Sequence, residues 1–125
     1  RGEELARGGR LTPEEVVFCG PATCWVPYTD PGIGLARAVR ESMEAFLQVH
    51  SSCPRVIFMQ NHGLLVTGKN PEEILSTTQM TVKAVRTLRA TMDFGGPRYL
   101  PPQETARIDT RPDEAFRKKV SGWEA

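Results

Sequence analysis

The sequence predicts a domain of α/β or α+β class, and three observations carry that reading. Two short strand-forming runs, Val56-Ile57-Phe58-Met59 and Leu64-Leu65-Val66-Thr67, stand only a few residues apart. An amphipathic helical pattern precedes them from Leu35, and a second follows from Asn70. With 125 residues the chain can bury one core and is too short for two comfortable ones.

In chain order, residues 1–12 read as a weak helix ending at a Gly-Gly break. Thr12-Pro13-Glu14-Glu15 then has the composition of a short helix start. Val16-Val17-Phe18-Cys19 is expected as a strand or buried turn. Residues 20–34 hold Pro21, Pro27, Pro31, Gly32 and Gly34, a density that excludes a regular helix. Within that stretch Cys24-Trp25-Val26 suits a short strand and residues 28–32 a turn. Leu35, Val39, Met43, Phe46 and His50 recur at helical steps, predicting a helix to about residue 51, where Ser51-Ser52-Cys53-Pro54 stops it.

The run from Val56 is continuous in apolar residues, which predicts a strand buried on both faces. Asn70 can cap the next helix, Pro71 suits its first position, and Glu73 stands where a capping box needs an acid. Ile74, Thr78, Val82, Val85, Leu88 and Met92 are expected to line its packed face. Gly95-Gly96-Pro97 ends that helix. A Pro- and Arg-rich tail over 95–125 follows, with a short helix expected from Pro112 to Val120. Two strands fall short of a sheet of ordinary size, so further strands are expected from outside this chain.

Composition narrows the function classes. The formal net charge is +1, with 39% hydrophobic and 25% charged residues, which excludes the electrostatic footprint of a nucleic-acid or membrane-surface binder. The apolar runs are far shorter than the roughly 20 residues a membrane helix needs. The first ten residues mix charges with glycines where a signal peptide needs an apolar centre. The chain does not begin with methionine, so its natural start is expected upstream. Three cysteines, Cys19, Cys24 and Cys53, suit a reducing, cytoplasmic setting better than a disulfide scaffold. Cys19 and Cys24 lack the second pair that a zinc site would need, and read as ordinary thiols.

Two glycine motifs fail as nucleotide sites. Gly63 to Asn70 nearly spells a phosphate-binding loop, but Asn70 replaces the hydroxyl residue that holds magnesium. The four intervening residues are strand formers, whereas such a loop must curl its amides around phosphate. Gly32-Ile33-Gly34 has Arg37 at the third glycine position of a dinucleotide fingerprint and reads as a helix-starting turn. Two histidines remain. His50 lies near a helix end on its apolar side, a structural position. His62 directly follows a buried strand and precedes a glycine, at the carboxyl end of the strand where α/β proteins place their sites. Position alone leaves it balanced between a structural histidine and a metal ligand.

The residues from Val56 through Gln60-Asn61-His62-Gly63 to Gly68-Lys69-Asn70-Pro71-Glu72-Glu73-Ile74 resemble the signature of class II aldolases and adducins. Trp25-Val26-Pro27-Tyr28-Thr29-Asp30-Pro31-Gly32, followed by Leu35-Ala36, is similar to that family's loop into the preceding helix. The resemblance covers roughly residues 24–92 of a single domain over 1–125. It is closest to the sugar-phosphate branch of rhamnulose-phosphate aldolases. It implies a three-layer α/β/α sandwich, incomplete in this chain, and a homotetrameric lyase of carbohydrate metabolism.

In catalytic members the resemblance implies Zn2+ or another divalent metal held by three histidines. The metal binds the oxygens of a small sugar phosphate and stabilises the enediolate of aldol cleavage. His62 matches the third of those histidines. The other two form a His-x-His pair upstream in the family, and no such pair occurs here, so the other ligands and the acid are expected outside this chain. The resemblance also admits a non-catalytic, adducin-like assembly domain, or epimerase or decarboxylase chemistry.

Overall fold

The computed structural model describes residues 9–113. In order come helix α1 (Pro13–Cys19), strand β1 (Cys24–Val26), helix α2 (Ile33–His50), strands β2 (Val56–Met59) and β3 (Gly63–Val66), and helix α3 (Pro71–Thr91). A 3-10 turn at Met92–Phe94 and helix α4 (Pro102–Asp109) complete the described chain. Strand β2 is central, parallel to β1 and antiparallel to β3. Phe46 of α2 packs with Cys24, Val26 and Ile57 on one face of the sheet. On the other face Val56 and Phe58 meet Thr81, Ala84 and Leu88 of α3 across a small cavity that Cys19 of α1 also lines. The layering is α/β/α, as expected.

Residues 16–19, expected as a strand or buried turn, instead complete α1. The hydroxyl of Thr12 accepts the Glu15 amide at 3.3 Å, and the Glu15 carboxylate accepts the Leu11 amide at 2.8 Å. The Thr12 cap, the reach of Glu15 back to the residue before it, and Pro13 behind Thr12 start a helix that carries through the apolar run. The helix preference lost at two valines, below about 0.7 kcal/mol each, is outweighed by burying Val16 and Val17 against Ile108 of α4.

Arg10 ties the two ends of α1 together. Its Nε donates to the Gly20 carbonyl at 2.8 Å, Nη2 to the Cys19 carbonyl at 3.0 Å, and Nη1 to the Glu15 carboxylate at 3.2 Å and Thr23 Oγ1 at 2.8 Å. Both Arg10 and Glu15 are buried. Arg55 adds a bond to the Val17 carbonyl at 2.9 Å.

The Cys19 thiol lies against α3, 3.6 Å from Thr81 Oγ1. Burial pushes its pKa above the ordinary value, outweighing the hydrogen bond to Thr81 and the nearby Arg10, which favour the thiolate. The group is therefore held neutral in the folded chain. An unfolded thiol ionises near 9.0, so this contribution to stability is complete below that pH and declines as pH rises toward the raised folded value. Tyr99, also raised by burial and then by Glu15, acts in the same direction from 10.0 upward. Thermal melts between about pH 8 and pH 10.5 are expected to show the midpoint falling from about pH 9, the unfolded thiol range. The fall should be shallower in Cys19→Ala, and equal slopes would remove the thiol from this account.

Helix α2 starts two residues before the expected Leu35, at Ile33, because Gly32 serves as its N-cap. It ends where Ser51 turns left-handed with φ 55° and donates its amide to the Leu47 carbonyl. The cap of α3 forms as expected: Asn70 Oδ1 accepts the Glu73 amide and Glu73 Oε2 accepts the Lys69 amide, both at 2.8 Å.

The packed face of α3 differs from the apolar stripe. Glu73, Thr77 and Thr81 are buried, while Ile74, Val82, Val85 and Met92 stay 38–48% exposed. The reason is a polar seam with α1, where Thr77 Oγ1 donates to the Phe18 carbonyl at 3.2 Å and Thr81 meets Cys19. In β2, Val56 and Ile57 are buried and Phe58 and Met59 half-buried, so burial on both faces holds for the first half of the strand. Leu64 and Leu65, on opposite faces of edge strand β3, are each 36% exposed.

Helix α4 falls inside what reads from sequence as an irregular tail. Pro102 opens it, and it is held by Ile108 against α1. Of the helix expected from Pro112 to Val120 only Pro112 and Asp113 fall among the described residues, and of the weak helix expected over residues 1–12 only 9–12, which are not helical.

Candidate functional site

Strands β1 and β2 are parallel, with Val26 paired to Met59, so the loops after both leave the same edge of the sheet. The first loop carries Tyr28, Thr29 and Asp30; the second is the hairpin Gln60-Asn61-His62 that turns β2 into β3. Three hydrogen bonds stitch them. Gln60 donates its amide to the Val26 carbonyl at 3.0 Å, and Tyr28 donates its amide to Gln60 Oε1 at 3.4 Å. His62 Nε2 stands 2.7 Å from the Thr29 carbonyl oxygen.

The hairpin explains its own sequence. Asn61 has φ 59°, a left-handed conformation that asparagine tolerates better than most residues. Gly63 has φ 134°, a region open in practice to glycine alone. His62 lies between two residues dictated by backbone geometry, yet it is exposed, and neither turn nor core packing demands an imidazole there. Its ring stacks on Tyr28 with centroids 5.3 Å apart and planes 7° from parallel. The Tyr28 hydroxyl donates to Asp30 Oδ1 at 2.9 Å.

Two buried polar atoms lack a hydrogen-bond partner among the described residues, Trp25 Nε1 and Thr29 Oγ1. Both belong to β1 and the loop that runs from it to this site.

His62 has donor chemistry suited to one position of a divalent metal. Among the described residues, however, no group of three or more His, Cys, Asp or Glu side chains is placed to hold an ion. The residues present thus fit a single ligand, not a complete site. His50 ends α2 with its ring 4.2 Å from that of Phe46 and tilted 37°, a packing role. Cys19 and Cys24 are buried in different elements and Cys53 is exposed, with no disulfide among them. Gly63–Val66, the segment resembling a phosphate loop, is a strand. Gly32 caps α2 as a simple turn.

Tyr28 and Thr29 have no role assignable from sequence spacing, because they stand 34 and 33 residues before His62 and only the parallel pairing of β1 and β2 joins their ends.

Fold and site together define a layered α/β domain presenting a histidine at a strand's carboxyl edge. Residues 2–88 match the family model of the class II aldolase and adducin N-terminal domain, and the chain belongs to that family. The match begins 22 residues before the Cys24 at which the sequence resemblance starts and leaves the tail outside. No curated protein and no solved structure matches the chain. No helix among the described residues is long and apolar enough to cross a membrane.

Proposed function

We propose that this chain forms part of a cytoplasmic, divalent-metal-dependent class II aldolase acting on a small sugar phosphate, with His62 as one metal ligand. The carrying observation is that His62 is an exposed, oriented imidazole between Asn61 and Gly63, whose identities the turn itself accounts for. A bound divalent ion would supply Lewis-acid polarisation of substrate oxygens. The chain's own contribution is to hold one imidazole and, through Tyr28 and Thr29, to orient it. The remaining ligands and the proton-transferring acid are assigned to an upstream part of the polypeptide, with this chain as its carboxyl-terminal portion. The rhamnulose-phosphate branch is the proposed relative, and a homotetramer the proposed assembly.

The experiment is zinc analysis of the protein expressed with its natural upstream sequence. Near-stoichiometric zinc is expected, with at least a tenfold loss of affinity in His62→Ala, the scale on which even residues outside the ligand set affect metal sites. A His-x-His pair and an acid within roughly a hundred upstream residues, a span set by domain size, would accompany that result.

The exposed apolar side chains on β3 and α3, Leu64, Leu65, Ile74, Val82 and Val85, favour a second reading, a non-catalytic assembly domain of the adducin type. Under it the protein holds no stoichiometric zinc and His62→Ala changes nothing. Epimerase or decarboxylase chemistry would share the metal and differ in the products formed from a sugar phosphate.

A further inference from the structure

Helix α3 covers one face of β2 without filling the space between them. It carries Thr81 and Ala84 where longer apolar side chains would reach the sheet, while Ile74 and Val82 of the same helix stay exposed. What remains is a cavity of about 50 Å3 walled by Val56 and Phe58 of β2, by Ala84, Val85 and Leu88 of α3, and by Tyr99. Protein interiors seldom leave such a gap, because neighbouring elements move in to close it. Here α3 is tied to α1 by the bond from Thr77 Oγ1 to the Phe18 carbonyl at 3.2 Å and by Thr81 Oγ1 against Cys19 Sγ at 3.6 Å. Moving the helix inward would break that seam.

The polar groups in the wall are already engaged. Arg10 donates to Glu15 and Thr23, and the Thr81 hydroxyl donates to the Thr77 carbonyl at 2.7 Å. The buried side-chain polar atoms without a partner among the described residues, Trp25 Nε1 and Thr29 Oγ1, lie elsewhere. A buried water needs about two to four polar partners, so a cavity without them stays dry and takes apolar guests. A charged guest is disfavoured as well, since Arg10 and Glu15 neutralise each other and leave no counter-charge free. We propose that this cavity is a binding site for one small, uncharged apolar molecule of the size of xenon or a two-carbon hydrocarbon. An apolar cavity of about 150 Å3 is needed to take benzene, so a space of about 50 Å3 excludes an aromatic ring. Entry is from the side of Val85, which is 48% exposed, and of the half-buried Tyr99. Tyr28, Thr29 and His62 do not line the cavity, so this site is independent of the metal reading.

The test is methyl proton–carbon correlation spectroscopy of the full chain under increasing xenon pressure. Saturable shifts are expected for the methyls of Val56, Val85 and Leu88, while those of Val26, packed on the opposite face of the sheet, stay in place. Xenon should also raise the thermal midpoint, because a molecule that binds the folded chain alone stabilises it. Ala84→Leu, which puts a side chain into the space, should lose both effects. Should that variant fail to fold, Ala84→Val fills less of the space and should show a smaller saturable shift than the wild type. Benzene should move none of these methyls. Shifts that rise linearly without saturating, or that persist unchanged in a folded Ala84 variant, overturn the proposal. So does a water cross-peak to the Val56 and Leu88 methyls that xenon leaves in place, since the cavity is then wet. Benzene shifts at the same methyls overturn the assigned ligand size.

Discussion

Replacing Arg10 by alanine is expected to lower the unfolding free energy by about 3–5 kcal/mol, the cost of removing one partner from a buried ion pair. The side chains of Arg10 and Glu15 keep only 4% and 10% of their exposure, so the carboxylate left behind has little water to replace the guanidinium. The same substitution strips donors from the Cys19 and Gly20 carbonyls and from Thr23 Oγ1. Urea unfolding followed by circular dichroism measures the loss, and a change below about 1 kcal/mol, the range of exposed pairs, would refute the assignment. Arg10→Lys should fall between, because it keeps the charge but loses the planar fork that reaches both ends of α1. Removing both partners with Arg10→Met and Glu15→Leu should cost less than Arg10→Ala alone, since no buried charge is then unpaired.

Ile57→Ala is expected to cost about 2–5 kcal/mol, and Ile57→Val about 0.5–1.5 kcal/mol. Ile57 is fully buried on the central strand, paired with Cys24 on one side and Leu65 on the other, and packed with Val26 and Phe46. Truncation leaves a cavity where sheet and α2 meet, and hydrogen bonds to both neighbouring strands restrict how far the backbone can close it. Unfolding curves of the two variants check this. An alanine variant no weaker than the valine one would mean that the sheet and α2 collapse freely around the gap. Under conditions where Ile57→Ala remains folded, the His62 imidazole signals should be unchanged, because the hairpin's contacts run to Tyr28 and Thr29, not through Ile57.

Much of the fold was legible where local chemistry and tertiary packing agree. Asn70, Pro71 and Glu73 announce α3 because cap, first-turn geometry and acid all act within four residues. Strands β2 and β3 were legible as two short apolar runs a few residues apart, while the left-handed Asn61 and the φ of Gly63 that join them as a hairpin came from the structure. Legibility failed where a distant partner decided. Val16 and Val17 look like strand residues until Ile108, some ninety positions later, buries them on a helix. The stripe from Ile74 to Met92 looks like the packed face of α3, yet the helix turns its threonines inward because Phe18 and Cys19 of α1 present a carbonyl and a thiol to them.

The candidate site divides along the same line. The sequence by itself determined the family resemblance and the strand-end position of His62, since each depends on neighbours in the chain. Tertiary structure alone decided that Tyr28 and Thr29 hold the ring. Parallel pairing of β1 with β2 brings together residues more than thirty positions apart, and nothing in local sequence encodes a hydrogen bond across that distance.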